Sequence, residues 1–459
     1  MDASLLMPSR KCLAIAAIVS SLGGLLFGFD NIVISGAIHD LTEHFHLDAA
    51  GTGWAAGCAL IGCVVGAASA GSVADFFGRK KALAACALCF AVSSLGIWFA
   101  ESLSQFTVWR LIGGLGIGAA SIVAPMYIAE IAPTRHRGRL VTLYQLGIVL
   151  GILAAVFSNM LIQRMGNDEW NAMTGWRLMF LVGFIPAMLF AIMILPTLES
   201  PRWLMKVGRA RDAERVLYLI NDAQKASGES LAIQESLNAE EGKLSELLTT
   251  FRRPLLLGIM LAGLQQISGI TPLFSYLPEV FREAGAAIGD AFHQTVLVGL
   301  VNLAFTLFAL WLIDRAGRKT LILAGTTVQF FSFLLVGFLY CVQGHSLAIL
   351  VFVMTFVSGH AFGNGVAMWV VISEIYPTKV RGRAMSIATT TLWLVGYLLN
   401  QMFPIMQQGL GPAGTFWCFA GGALITIILV AWLVPETKDK SLEEITRFWK
   451  ASEPAVQMP

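Results

Sequence analysis

Long apolar stretches, each bounded by charged or turn-forming residues, recur along the whole chain. About 20 consecutive apolar residues in a helix cross the ~30 Å hydrocarbon core of a bilayer. Stretches of that length predict twelve transmembrane helices, near 12–35, 51–74, 82–100, 105–128, 140–162, 176–196, 254–281, 291–314, 319–342, 347–373, 383–406 and 412–434. The first, preceded by Arg10 and Lys11, has the outline of a signal peptide. It runs past the usual length of such an apolar region, shows no small-residue cleavage site and carries Asp30, so it reads as a membrane helix. Between the sixth and seventh stretches the chain turns polar and charged. The segments Ala210–Gln224 and Leu231–Leu248 predict short helices there.

Composition strengthens this picture. Of 459 residues, 56% are hydrophobic and 13% charged, whereas soluble domains are about a quarter charged. The net charge of +2 says nothing about partners, and no nucleic acid is expected among them, but the placement of the cations is informative. Arg164, Arg177 and Arg282 fall on one side of the predicted membrane and Arg110 within a helix, while the remaining Lys and Arg lie in the termini and the alternate loops. By the positive-inside rule both termini and the 197–253 loop are cytoplasmic. The expected location is a bacterial inner (plasma) membrane, crossed many times. The seven cysteines (12, 58, 63, 86, 89, 341, 418) sit in or beside apolar stretches, so Cys86-x-x-Cys89 reads as small apolar filler rather than a redox or metal motif. His44 and His46 read as a solvated loop. No nucleophile–base pair, metal set or phosphate loop stands out, so neither an enzyme nor a cofactor is expected.

The chain repeats itself. Asp75-Phe-Phe-Gly78-Arg79-Lys80 recurs as Asp314-Arg-Ala-Gly317-Arg318-Lys319, and Glu130-Ile-Ala-Pro133-Thr134-Arg-His-Arg137-Gly138-Arg139 recurs as Glu374-Ile-Tyr-Pro377-Thr378-Lys-Val-Arg381-Gly382-Arg383. Both repeats run in the same direction, which predicts two parallel halves of six helices with a site between them near the membrane midplane. The expected divisions are 1–196 and 254–434 for the bundles, 197–253 for a helical linker and 435–459 for a tail. The carboxylates Asp75, Glu130, Asp314 and Glu374 stand near Arg79, Arg137, Arg318 and Arg381 in matching positions. Exposed ion pairs of this kind are individually weak, ~0–1 kcal/mol, which suits a gate on the cytoplasmic face between two states of similar energy.

The motifs together are specific. Gly71-x3-Asp75-x2-Gly78-Arg79-Lys80, Arg110-Leu-Ile-Gly113-Gly114-x-Gly116-x-Gly118, Glu199-Ser-Pro-Arg202-Trp203-Leu204 and Pro435-Glu436-Thr437-Lys438 resemble the sugar porter family of the major facilitator superfamily, over about residues 12–445. The resemblance implies an all-α membrane protein with twelve transmembrane helices in two six-helix bundles. It implies a monomeric carrier that moves a monosaccharide, hexose or pentose, by alternating access. Glu199 and Arg202 join the gate by the same resemblance. In proton symporters of the family an Asp at the position of Asp30 resembles the proton carrier, paired with an Arg at the position of Arg110. Facilitative relatives are uncharged there, so the resemblance favours proton symport over a sugar uniporter. An antiporter and a transporter-like nutrient sensor rank lower, the sensor because only a short tail follows Val434.

A sugar offers hydroxyls at its rim and C–H groups on its faces, so its site needs amides and aromatic surfaces. Gln145, Gln265 and Gln266 match sugar-contacting amides of the family, and Phe27, Trp369 and Trp393 match aromatic positions of the same cavity. Four positions depart from it. Thr271 replaces an Asn and Ser275 a Tyr, Leu392 precedes Trp393 where an amide is usual, and Ile152 stands where xylose symporters carry a second Gln. His360 and Asn364, four residues apart on one helical face in a Gly-rich stretch, admit two readings: a pair pointing into the cavity that offsets these losses, or a histidine satisfied by an interhelical hydrogen bond. Which sugar is carried stays open at this stage.

Overall fold

The computed structural model describes residues 10–133, 137–221, 223–238, 244–376 and 380–438. In chain order the helices are α1 (Arg10–Ile32), α2 (Ile34–His44), α3 (Ala49–Phe77), α4 (Arg79–Trp98), α5 (Leu103–Ile131), α6 (Arg137–Gln163), α7 (Asp168–Trp170), α8 (Trp176–Val182) and α9 (Phe184–Ile194). Then come α10 (Pro201–Lys206), α11 (Ala210–Ile220), α12 (Ala223–Asn238) and α13 (Leu244–Leu248) in the polar segment. The second half holds α14 (Arg252–Ile267), α15 (Ile270–Ser275), α16 (Leu277–Glu283), α17 (Ile288–Ala316), α18 (Arg318–Cys341), α19 (Ser346–Gly359), α20 (Ala367–Glu374) and α21 (Arg381–Leu433). Among the described residues there is no strand.

Twelve crossings emerge once the interruptions are read physically. The span Leu13–His44 is bent at Val33, and Asp168–Ile194 contains a π-helical turn at Asn171–Gly175. The 53-residue α21 holds the expected eleventh and twelfth spans, which meet at Gly411. Its φ of 69° and ψ of 171° lie outside the helical region, and Pro412 follows. Only glycine takes such a φ without strain, and the following proline restarts a helix without needing an N–H partner. The polar segment forms the expected helices, with Ala213, Val216, Leu217 and Ile220 buried on one side of α11, the i, i+3, i+4, i+7 pattern of an amphipathic helix. The expected helix over Leu231–Leu248 is seen as the end of α12 and as α13, and 239–243 lie outside the described residues.

Packing divides the chain into two compact units. The first is drawn from Met1–Val33, Ile61–Ala155 and Arg177–Glu241, the second from Ile34–Leu60, Val156–Trp176 and Gly242–Pro459. In the first, α1 and α6 pack backbone to backbone. Gly24 and Gly28 lie against the main chain of Tyr144 and Ile148, while Gly147 and Gly151 lie against that of Ser21 and Leu25. The four-residue spacing puts each glycine pair on one helical face, and in a bilayer such close approach replaces the hydrophobic drive that lipid cannot supply. Gly62 and Gly66 of α3 pack in the same way on Leu111 and Leu115 of α5. In the second unit Gly325 of α18 meets Gly359 and Gly363 backbone to backbone.

Adding a Cβ at Gly28 or Gly151 drives it into the carbonyl of Ile148 or Leu25, and overpacking costs about 1–3 kcal/mol or more. Gly28→Ala and Gly151→Ala should each lower the melting midpoint and shrink the monodisperse peak in size-exclusion chromatography. Gly71→Ala, whose Cβ meets nothing within 4 Å, should match the unaltered protein.

Candidate functional site

One ion pair lies inside the apolar bundle of the first unit. Arg110 Nη1 of α5 donates to Asp30 Oδ2 of α1 at 3.0 Å and to the Asp30 carbonyl at 3.3 Å. Arg110 is 1% exposed and Asp30 7%, and the guanidinium lies 5.1 Å from the centroid of Phe180. Gly113, one turn on from Arg110, leaves the room in which the pair sits: a Cβ there would meet Ser93 Oγ and lie 3.5 Å from Asp30 Oδ2. The Nε of Arg110 and the Oγ of Ser93 are buried without hydrogen-bond partners. A charge at membrane depth is costly, ~2.5–3.5 kcal/mol on insertion scales, and here two of opposite sign are in contact with one guanidinium donor left without a partner.

The amides of the second unit gather where helices break. After Gln265-Gln266 the chain leaves α14 through Ser268 and Gly269, whose φ is 84°, and re-enters helix at α15. Nearby, α19 gives way to a π-helical turn at His360–Asn364 before α20. Gln265 Nε2 donates to the Asn364 carbonyl at 3.1 Å, tying the two breaks together, and its Oε1 is buried and unpartnered. Gln266 accepts from Thr271 Oγ1, and Gly396 of α21 lies beside both groups. Adjacent glutamines thus serve different clusters, because neighbouring residues on a helix point about 100° apart. Broken helices with amides at the break are how membrane carriers build polar sites at depth.

The remaining sequence-derived candidates fall into place individually. The side chain of Asn364 is buried, accepting from Thr326 Oγ1 at 2.9 Å and donating to Gln329 Oε1 at 3.1 Å. It is therefore bonded to α18, while His360 Nδ1 is buried with no partner. Ser275, Leu392 and Trp393 are buried, and Thr271 and Trp369 are half-buried. In the first unit Phe27, Gln145 and Ile152 are half-buried.

The motif ends of the helices form a second assembly, repeated in each unit. Arg79 is the hub of the first: Nε and Nη2 grip Glu130 at 2.8 and 3.0 Å, and Nη1 reaches Asp75 at 3.0 Å. Lys206 Nζ lies 3.0 Å from the other Asp75 oxygen. In the second unit Arg318 Nη2 meets Glu374 at 3.3 Å, and Arg381 donates to the Tyr376 carbonyl at 3.4 Å. Arg202 is exposed and makes no ion pair among the described residues. The side chains of Arg137 and Asp314 lie outside the described ones.

Each motif also uses its glycine as a helix cap. Gly78 (φ 96°) and Gly317 (φ 85°) start α4 and α18. Glu199 accepts the main-chain N–H groups of Arg79 and Lys80 at 3.0 and 3.2 Å. Glu436 accepts those of Arg318 and Lys319, each at 3.1 Å. A carboxylate here satisfies otherwise orphaned donors and meets the positive end of the helix dipole. Burial pushes the Glu436 carboxyl up, but the N–H groups of Lys438, Arg318, Lys319 and Thr437 outweigh it and hold it below the ordinary range. A Cβ on Gly78 or Gly317 would strike the capping carboxylate. Sequence reading placed Glu199 in the gate but gave Glu436, part of Pro435-Glu436-Thr437-Lys438, no role of its own. Its signal was the shared order of Glu followed by Ser or Thr, 120 residues after Arg79 and 118 after Arg318.

These features, a twelve-span helical chain with two like halves, broken helices bearing amides and a buried ion pair, define a multi-pass membrane transporter. Residues 16–449 match the family described as Sugar (and other) transporter. The chain is 39% identical to the arabinose-proton symporter of Bacillus subtilis, covering 94% of this chain and 93% of that one. It is 34% identical to the D-xylose-proton symporter of Escherichia coli over 94% and 95%, and 35% to the galactose-proton symporter of Escherichia coli over 94% and 92%. The solved structure of the Escherichia coli xylose transporter in a partially occluded inward open conformation superposes with a TM-score of 0.86, at 32% identity, covering 94% of this chain and all of that one. The chain belongs to the sugar porter family of the major facilitator superfamily.

Glu199→Ala and Glu436→Ala each strand two helix-start donors, and hydrogen bonds to charged groups are worth about 1.5–3 kcal/mol. Both variants should melt several degrees lower in thermal unfolding. Lys225→Ala, an exposed side chain of α12, should be neutral.

Proposed function

We propose that this protein imports a monosaccharide, pentose or hexose, together with a proton, through a single chain in a bacterial inner membrane. The face carrying the Gly-Arg-Lys motifs, with both termini, is cytoplasmic, and the halves 1–196 and 254–434 rock about a central sugar site, joined by the linker 197–253. The observation that carries this reading is the buried Asp30–Arg110 contact at 3.0 Å. A carrier that only equilibrates sugar has no use for a titratable pair at that depth, and the relatives named above are all called proton symporters. Protonation of Asp30 dissolves the ion pair and frees Arg110, and release of the proton restores it. Pairing thereby becomes a two-state element that one proton switches. Gln145, Gln265 and Gln266 supply hydrogen bonds to the sugar hydroxyls, with Phe27, Trp369 and Trp393 against its apolar faces. Thr271, Ser275, Ile152 and Leu392 shape the pocket and set the choice of sugar, with His360 and Asn364 behind them. The motif carboxylates and arginines form the cytoplasmic gate.

One proton per sugar supplies about 2.3 kcal/mol per 100 mV of membrane potential, or roughly 40-fold accumulation at about 1.4 kcal/mol per decade. In proteoliposomes given an inward proton gradient, a panel of labelled arabinose, xylose, galactose and glucose should show gradient-driven accumulation of at least one sugar. Asp30→Asn should abolish accumulation while retaining counterflow exchange. Uptake that only equilibrates with the gradient imposed would make the protein a uniporter. Gln265→Ala or Gln266→Ala should raise the KM for the accumulated sugar about tenfold.

A further inference from the structure

Beside α2, the second unit contains a cavity of about 560 Å³. His39, Asp40 and Glu43 of α2 line it with Asp168 of α7 and with Glu279, Arg282 and Glu283 of α16. Five carboxylates thus share one guanidinium and one imidazole. The wall joins the two sequence halves, and around it are the contacts that hold this end together. Tyr276 Oη donates to the Asn400 and Thr52 carbonyls at 3.3 and 3.4 Å, and Gln401 Nε2 donates to the Ala50 carbonyl at 2.8 Å.

The available cations are already claimed. Arg282 binds Glu279 at 2.9 Å, and His39 lies 3.3 Å from Glu43 and 3.6 Å from Glu279. Asp40 has nothing comparable. It is only 3% exposed, and its Oδ2 is buried with no hydrogen-bond partner. A buried carboxylate oxygen without a donor is costly, and the chemistry that relieves it must bring its own hydrogen or positive charge. Among the described residues no group of three His, Cys, Asp or Glu side chains converges closely enough to hold a metal ion.

We propose that this acidic cavity is a second proton-binding site, separate from Asp30, and that protons bound at Asp40 and Glu283 latch the external gate shut. The proposal rests on the alternating-access reading for the word gate, but not on any sugar or on proton coupling.

Charge on the cavity pushes α2 and α16 apart, and protonation removes that repulsion. The groups facing Asp40 are Glu43 on its own helix, Glu279 and Arg282 on α16, and Asp168 on α7, with His39 on the same wall. Those facing Glu283 are Glu279 on its own helix and Tyr340 of α18, with Gln407 of α21 donating to it at 3.1 Å. From α17 only the apolar Ile288 reaches the cavity, and His293 of that helix is engaged with Arg164. Burial, and then the neighbouring Glu279, push the Glu283 carboxyl up to about 7. A carboxylate released into water by an opened gate returns to its ordinary range, so the closed gate binds the proton more tightly. Closure is therefore favoured as external pH falls, and is lost progressively as pH climbs from the ordinary carboxylate range to about 7. The Glu283 side chain, crowded by protein on its inner side, is exposed on its outer side, and solvent screening there limits the effect to roughly tenfold in the gate equilibrium.

The test is hydrogen–deuterium exchange of the full chain in nanodiscs, with rates corrected for the intrinsic pH dependence of exchange. In the unaltered protein, protection of 34–44 and 277–283 should fall about tenfold between pH 6 and pH 8. Asp40→Asn with Glu283→Gln should stay protected at both values. Glu283→Gln alone, at a solvent edge where folding is not at risk, should lose most of the response. Asp30→Asn should respond like the unaltered protein, so a failure of proton-coupled transport and a failure of the latch read out separately. Equal pH response in the double variant, or no response in the unaltered protein, overturns the latch. Recovery of protection at pH 8 on adding millimolar calcium also overturns it, since the cavity would then be a metal site.

Discussion

The apolar solvent around the helices forbids an uncompensated charge, and much of the structure follows from how this chain meets that prohibition. Asp30 and Arg110 neutralise each other at 3.0 Å, and everything near them serves the contact. Glycine at position 113 leaves space for it. Phe180 offers its ring to the guanidinium. The glycine ladders of α1 and α6 bring the backbones into direct contact beside it. The same prohibition is why the proposed function gives this pair the proton: adding one proton there would change the charge balance of the whole interior.

A related constraint acts on the main chain. Every N–H and C=O within the bilayer needs a partner, so breaks in helices are confined to places where side chains can serve as substitutes. The break after Gln266 and the π turn at His360–Asn364 are joined by the Gln265 amide on the Asn364 carbonyl. The amide at this break thus makes the bent helices tolerable, and in the proposed function the same glutamine also serves the sugar.

Much of the fold was legible in the sequence because length and apolarity alone specify a membrane helix. The twelve spans could be read from the run lengths, and the twofold plan from the repeated Asp-x-x-Gly-Arg-Lys. The joint at Gly411 was also visible, since Gly-Pro cannot continue a helix. Distances across the fold were less legible. Nothing local distinguishes Asp40, on a helix end near water, from a solvated acid; only the arrival of α16 far along the chain buries it. In the same way the expectation for Asn364 rested on a regular helix, whereas it closes a π turn and its amide is bonded to Thr326 and Gln329 of α18. A period of 3.6 residues cannot foresee a π turn, though Gly359, Gly363 and Gly365 marked where one was affordable. Glu436, part of a family motif, showed no role in sequence because its partner, the start of α18, lies 118 residues earlier, whereas Glu199, just as far from its own, took its role from the family resemblance.

That separation also bears on how the protein is made. The first turn of α4 is completed by a residue 120 positions downstream, and the first turn of α18 by one 118 positions downstream. A growing chain therefore threads several further helices into the bilayer before the carboxylate that finishes each half leaves the ribosome. Until then the Gly-Arg-Lys turns hold bare donors at the membrane surface, where water and lipid phosphates can serve them. Each capping carboxylate thus reaches its helix only after about 120 further residues have been made, like a clasp at the far end of a strap.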